Sequence, residues 1–198
     1  MLEFLSRLDA LLFMQINGCH HPLLDILFLI VSHLGNGWVV VPLVGAIVAV
    51  VTPRTYLVRA LICAAIAGTL TGMLNTQIKR AVDRPRPLLY FNQAGAPAYA
   101  VHVAGTPFKR HSFPSGHTAT AFAAAAILAF FYRKFFFLAF IPAVLVAWSR
   151  IGLGVHFPLD TVGGALLGGT VSFVVIELFS RYTRLPKPLP LRWSHAQR

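Results

Sequence analysis

The chain has 198 residues, 57% of them hydrophobic and 12% charged, with 17 Lys and Arg against 6 Asp and Glu for a net charge of +11. A soluble domain carries about 25% charged residues; half that charge with a mean hydropathy of +0.69 excludes a disordered chain and a nucleic-acid-binding domain, which displays its bases on a polar surface. What remains is an integral membrane protein of one domain over residues 1–198, and its strong basicity needs a cause.

In chain order, residues 2–16 predict an amphipathic helix. Glu3 and Asp9 break its apolar run and no small-residue cleavage site follows, so it reads as an interfacial helix rather than a signal peptide. Charge-free runs then mark spans near 22–34, 37–52, 56–80, 114–132, 135–151 and 158–181. The first of these is short and carries Asp25. Ile26 to Pro53 holds no charge over 28 residues, but Leu34-Gly35-Asn36-Gly37 interrupts it as a turn. The fold expected is all-α: a polytopic membrane bundle of about six transmembrane helices with an amino-terminal interfacial helix. Gly68 with Gly72, and Gly164 with Gly168, predict close helix approach. Cys19 and Cys63 match no metal spacing and make no disulfide framework.

If span ends alternate sides, ten cations share one face, among them Arg7, Arg54, Arg59, Arg133, Lys134 and the basic tail 182–198. Seven share the other: Lys79, Arg80, Arg84, Arg86, Lys109, Arg110 and Arg150. The first set flanks spans as cytoplasmic topology signals do. The second set gathers at three junctions and calls for another explanation.

At the first junction, Lys79-Arg80-Ala81-Val82-Asp83-Arg84-Pro85-Arg86-Pro87 ends the third span. The prolines force an extended exit that can turn Lys79 and Arg86 toward one ligand; a plain basic stop at the membrane edge fits the segment equally. At the second, Phe113-Pro114-Ser115-Gly116-His117-Thr118 opens the fourth span, with Ser115 as N-cap, an unobstructed Gly116 amide and His117 in the first turn. An ordinary capped helix also reads this way. At the third, Ser149-Arg150 ends the fifth span, and His156 precedes Asp160 by four residues. A carboxylate there fixes the imidazole tautomer, or the pair is merely structural.

Together these place Lys79, Arg86, Arg150, the Ser115/Gly116 helix end, His117 and His156–Asp160 on one face of a bundle. Three cations and a helix amino terminus suit a multiply charged oxyanion, and two histidines supply a nucleophile and an acid. Asp83 and Asp160 are the only acids placed on that face, too few to require a metal, so neither metal nor other cofactor is expected. The chemistry expected is metal-independent phosphoryl transfer.

These segments closely resemble the type 2 phosphatidic acid phosphatase superfamily of membrane lipid phosphatases. The family pattern is Lys, six residues, Arg-Pro; then Pro-Ser-Gly-His; then Ser-Arg, five residues, His, three residues, Asp. Lys79/Arg86-Pro87, Pro114-Ser115-Gly116-His117 and Ser149-Arg150/His156/Asp160 match in order and spacing over residues 79–160. The resemblance implies that His156 attacks phosphorus to form a phosphohistidine, that Asp160 orients it, and that His117 protonates the leaving oxygen. It implies that Lys79, Arg86, Arg150, Ser115 and the Gly116 amide hold the phosphoryl oxygens. It implies a lipid phosphate substrate, and the cation distribution, with the ten-residue face in the cytoplasm, puts the site on the outer side of a cytoplasmic membrane, with oligomeric state open.

Undecaprenyl pyrophosphate is the substrate favoured, with phosphatidylglycerophosphate, phosphatidate and lipid A phosphate as alternatives. The preference rests on the small size of the chain and on Arg84 and Arg110, which lie outside the motifs and are available to a second phosphate, although solvated loop charge describes them as well. His102 and His111, in the loop 88–112, are read as bystanders. A non-catalytic lipid-phosphate binding or transport protein is the reading of a different class; it has no need of the His156–Asp160 pair. A soluble haloperoxidase relative shares the oxyanion cradle, but this composition argues against it.

Overall fold

The computed structural model describes residues 2–95 and 101–186; the remainder of the basic tail, 187–198, lies outside the described residues. Every regular element among the described residues is helical. The helices are α1 (Leu2–Asn17), α2 (Pro22–His33), α3 (Gly37–Val51), α4 (Arg54–Val82), α5 (Pro87–Gln93), α6 (Gly116–Phe131), α7 (Phe136–Gly152) and α8 (Pro158–Thr183), with a 3-10 turn at Arg133–Phe135. Local chemistry sets the boundaries. Proline opens α2, α5 and α8, where its missing N–H costs nothing. Asn36 Oδ1 accepts from Trp38 N at 3.1 Å and so starts α3 just after the turn read from Gly35 and Gly37. The loop expected over 88–112 instead begins as α5, since Pro87 suits a first helical turn and Leu88-Leu89-Tyr90-Phe91 gives it an apolar face.

Helices form at all six segments expected to span, but they are not equally suited to crossing a bilayer. α4, with 29 residues, and α8, with 26, belong to the two segments long and apolar enough to cross. α2 and α3 meet the requirement only as a pair, bent by 59°. α6 and α7 have 16 and 17 residues, about 24–26 Å at 1.5 Å per residue, against a hydrocarbon core of about 30 Å. Among the described residues, length and composition mark two to three clear apolar spans and do not establish the six expected. The outside of the bundle is nonetheless apolar, with Trp38, Phe137 and Tyr182 more than four-fifths exposed.

α6 is the central helix, packed against α3, α4, α7 and α8. Its face toward α8 is alanine-rich, and α8 answers with glycine. A Cβ at Gly168 would run into the Ala119 carbonyl and the Ala123 amide, and one at Gly164 into the Ser115 carbonyl. That close approach is what the sequence led us to expect. The same expectation fails for Gly68 and Gly72, where nothing lies within 4 Å of the position a Cβ would take. Their face of α4 turns instead toward cavities of about 340 Å³ and 380 Å³, lined in part by α3 and α6.

α1 docks at the end of the bundle where α6 and α8 begin. Phe13 sits 5.8 Å from Phe91 and 5.3 Å from Phe157, ring centre to ring centre. Asn17 Nδ2 donates to Gly152 O at 3.0 Å and His102 O at 2.8 Å. Arg7, assigned from the sequence to the opposite face, therefore belongs to this end, because α1 lies along it rather than across from it.

Candidate active site

Four helix ends and the segment that leads into α5 converge here. The last turn of α4 brings Lys79, the residues before α5 bring Arg86, the first turn of α6 brings Ser115, Gly116 and His117, the last turn of α7 brings Arg150, and the start of α8 brings Asp160, with His156 just before it. Asp83 ends α4 in the left-handed region (φ 39°), so the chain leaves the helix sharply. Ser115 is the N-cap expected: its Oγ accepts from Thr118 N at 3.5 Å and from Thr118 Oγ1 at 2.9 Å. Its N–H donates to Asp160 O at 2.9 Å, which fixes the two helix starts against each other.

The three motif cations are anchored without carboxylates. Lys79 Nζ donates to His111 O at 2.8 Å. Arg86 donates to Arg110 O at 3.0 Å and Val155 O at 3.2 Å. Arg150 Nη1 donates to Ser32 Oγ at 2.6 Å, while its buried Nε has no hydrogen-bond partner among the described residues. Ion pairs among the described residues engage Arg84, Arg110 and Arg181, and none engages these three. His117 feels the charge of Arg150, Arg86 and Lys79, and of His33 at the end of α2. The Lys79 stem passes close to Gly116, with Cε 3.9 Å from where a Cβ would stand.

His156 is 2% exposed. Burial, reinforced by Arg86 and Arg150 and opposed by Asp160, pushes its pKa down to about 3, so the ring is neutral near pH 7. Its Nδ1 lies 3.5 Å from Asp160 Oδ2, an ion-pair distance short of a formed hydrogen bond; such contacts commonly tighten when substrate binds. Asp160 is held firmly by other donors. Its Oδ2 accepts from Ser112 Oγ at 2.5 Å and Phe157 N at 2.8 Å, and its Oδ1 accepts from Arg84 Nη1 at 2.6 Å. The eight motif residues named from the sequence are thus gathered in one place.

Arg84 corrects the sequence reading. It is not solvated loop charge but a bridge, with Nη1 on Asp160 and Nη2 2.7 Å from Asp9 Oδ2, its guanidinium 4.4 Å over the Phe157 ring. Arg110 is more exposed and pairs with Asp83 at 2.6 Å. Nor are Asp83 and Asp160 the only acids at this end, since α1 delivers Asp9 and α2 delivers Asp25, which holds His102 at 2.8 Å. No group of three or more His, Cys, Asp or Glu suited to a metal ion occurs among the described residues. Ser32 and Asp9 escaped the sequence reading because each reaches the site from a remote segment, and Ser112 because its partner, Asp160, lies 48 residues away. The available hint was Asp9 standing four residues from both Leu5 and Phe13, on the apolar side of an amphipathic helix, in a chain with six acids.

The lipid A 1-phosphatase of Rhizobium etli is 35% identical over 136 residues, 65% of this chain and 54% of that one. The undecaprenyl-diphosphatase of Sulfolobus acidocaldarius is 30% identical over 173 residues, 85% of this chain and 77% of that one. The chain thus spans about half the length of the first of these relatives and more of the second. The crystal structure of Aquifex aeolicus LpxE superposes with a TM-score of 0.71 at 32% identity, covering 84% of this chain and 93% of that one. The PAP2 superfamily pattern matches residues 56–184, a stretch that holds every motif residue at the convergence of the four helix ends, and the chain belongs to that superfamily.

Proposed function

We propose that the protein is a metal-independent membrane phosphatase that removes the terminal phosphoryl group of a lipid phosphate through a phosphohistidine at His156. The observation that carries this reading is the set of three cations, Lys79, Arg86 and Arg150, with which no carboxylate among the described residues forms an ion pair. Arg150 is buried and the other two are half-buried, a setting in which a cation is costly unless an anion pairs with it, and the Ser115/Gly116 helix start adds amide donors beside them. His156, neutral and with Nδ1 turned to Asp160, is left with Nε2 for attack on phosphorus. A Nε2–P bond forms as the P–O bond to the lipid breaks, and the leaving oxygen takes the electron pair and a proton from His117, which holds that proton once the bound phosphoryl anion offsets the field of Arg150, Arg86 and Lys79. Water then attacks phosphorus, losing its proton to His117, and the P–N bond breaks to release inorganic phosphate and restore His156. The cations act where negative charge moves onto the leaving oxygen.

The preference for undecaprenyl pyrophosphate loses the ground it drew from Arg84 and Arg110, which already serve carboxylates, and keeps the support of a relative named as an undecaprenyl-diphosphatase. The substrate class is a lipid carrying a terminal phosphoryl group, as a monoester or a diphosphate; the relatives' names cover both. The outer-face location gains an argument. Of the eight cations at the site end, with Arg7 included, three face the proposed phosphate and two bind carboxylates. Few remain as topology signals there, while Arg54, Arg59, Arg133, Lys134, Arg181 and Arg184 stand at the other end.

The test is phosphate release from undecaprenyl pyrophosphate, phosphatidylglycerophosphate, phosphatidate and lipid A by detergent-solubilised protein, with and without chelator. Release from at least one lipid, unchanged by chelator and abolished in a folded His156→Ala variant, is expected. Binding without release would make it a lipid-phosphate binding protein, and near-normal release by His156→Ala would refute the nucleophile.

A further inference from the structure

Asp9 and Arg84 have no part in the chemistry above, yet they are paired with each other and, through Arg84, with Asp160. Asp9 is an acid on α1, the helix read as interfacial, and its side chain is completely buried. One carboxylate oxygen accepts from the Leu159 amide at 2.8 Å, and the other accepts from Arg84 Nη2 at 2.7 Å. Arg84 spends its other terminal nitrogen on Asp160 Oδ1 at 2.6 Å, and its flat face covers Phe157. A relay of fixed contacts therefore runs from α1 to the carboxylate beside His156.

From this relay we infer that Asp9 and Arg84 are positioning residues for the His156–Asp160 pair, acting on the reaction through Asp160 and not by contact with phosphate. The inference rests on the phosphohistidine reading.

The geometry assigns each contact a task. Asp160 Oδ1 is claimed by Arg84, so Oδ2 is the oxygen presented to His156 Nδ1. Asp9 grips both the guanidinium and the Leu159 amide, next in the chain to Asp160, and thus fixes the carboxylate from its side-chain and backbone ends together. Both arms of Arg84 are in use, each with a charge-assisted bond, so the guanidinium is not offered to a phosphate. Three charges in the order minus, plus, minus also leave Asp160 less neutralised than a lone Arg84 would, preserving its pull on the His156 N–H. Burial pushes the Asp9 carboxyl above its ordinary value, but Arg84 and the Leu159 amide oppose this. The Phe13–Phe91–Phe157 packing seats α1 so that Asp9 reaches the relay.

The experiment compares wild type with Asp9→Asn, Arg84→Lys, Arg84→Gln and the Asp9→Asn/Arg84→Gln double variant, all in detergent. It measures kcat and KM on whichever lipid wild type hydrolyses, the inhibition constant of inorganic phosphate, and the unfolding temperature. Partners that orient a reactive group typically matter by about 10–100-fold, and a kcat loss of that size is expected in Arg84→Gln and Asp9→Asn. KM and the phosphate inhibition constant should stay near wild type, Arg84→Lys should recover part of kcat, and the double variant should be no slower than the slower single. Asp9→Asn keeps shape and volume and Arg84→Lys keeps the charge, so they report if Arg84→Gln fails to fold. A raised phosphate inhibition constant with kcat retained would make Arg84 a phosphate ligand and overturn the inference. Wild-type kcat in the folded variants, or multiplying losses in the double variant, would also overturn it. A wild type inactive on every lipid would sink the phosphatase reading and this one together, an outcome separate from active wild type with indifferent variants.

Discussion

Replacing Gly168 with alanine adds one methyl group where α8 crosses α6. An ideal Cβ there overlaps the Ala119 carbonyl oxygen and lies 2.9 Å from the Ala123 amide nitrogen. Both neighbours are backbone of the central helix, so no side chain can rotate away and the helices must separate. Overpacking of this kind costs about 1–3 kcal/mol, and at about 2–4 °C per kcal/mol for a chain of this size the unfolding temperature should fall by about 2–12 °C. Gly164→Ala presses on the Ser115 carbonyl and stands 3.1 Å from Thr118 Cβ. Ser115 also donates its N–H to Asp160 O at 2.9 Å, so this variant should lose phosphate release as well as stability. Gly68→Ala is the control: nothing lies within 4 Å, and alanine is the better helix former by about 0.5–1 kcal/mol. Thermal unfolding and phosphate release, measured on the three variants in the same detergent, decide the matter. A Gly168→Ala protein that unfolds at the wild-type temperature, or a Gly68→Ala protein that loses as much as Gly168→Ala, would refute the packing argument.

Other predictions concern the site. His156 is held at a pKa of about 3 against an ordinary value of about 6.5. Between those pH values the unfolded chain therefore binds a proton that the folded one refuses, and stability should fall as pH drops through the window. His156→Phe should flatten the curve of unfolding temperature against pH, and an unchanged curve would contradict the buried neutral imidazole. Arg150→Lys loses the forked geometry that reaches Ser32 while presenting Nε. It should raise the inorganic phosphate inhibition constant about tenfold, the worth of one charge-assisted bond; an unchanged constant would remove Arg150 from the phosphate site. Asp160→Asn puts a donor among Ser112, Phe157 and Arg84, all of which already donate. Breaking a buried pair costs about 3–5 kcal/mol, so its unfolding temperature should drop more than that of His156→Ala; equal stability would refute the role of these three bonds in holding the carboxylate.

The helices and the site motifs were legible in the sequence because their causes are local. Asn36, Ser115 and the prolines at 22, 87 and 158 act within one turn of themselves, and the spacings Lys79–Arg86 and His156–Asp160 lie within single junctions. Apolar runs likewise announce helices, although they did not announce which of them is long enough to cross a bilayer alone. Sequence spacing could not tell Gly68 from Gly168, since a small residue permits close approach without supplying the neighbour. Only the packing of α8 on α6 supplied one, while α4 turned its glycines to open space. Arg84 and Asp9 were misread for the same reason. Arg84 meets Asp9 and Asp160 across 75 and 76 residues, and α1 had to settle at the site end before an acid in an apolar helix could find its cation. Which residues carry charge and which segments coil follow from the order of the amino acids, because both are properties of a residue and its near neighbours. Which charges meet depends on how the helices pack, and that packing separates three cations left for an anion from two already committed to carboxylates.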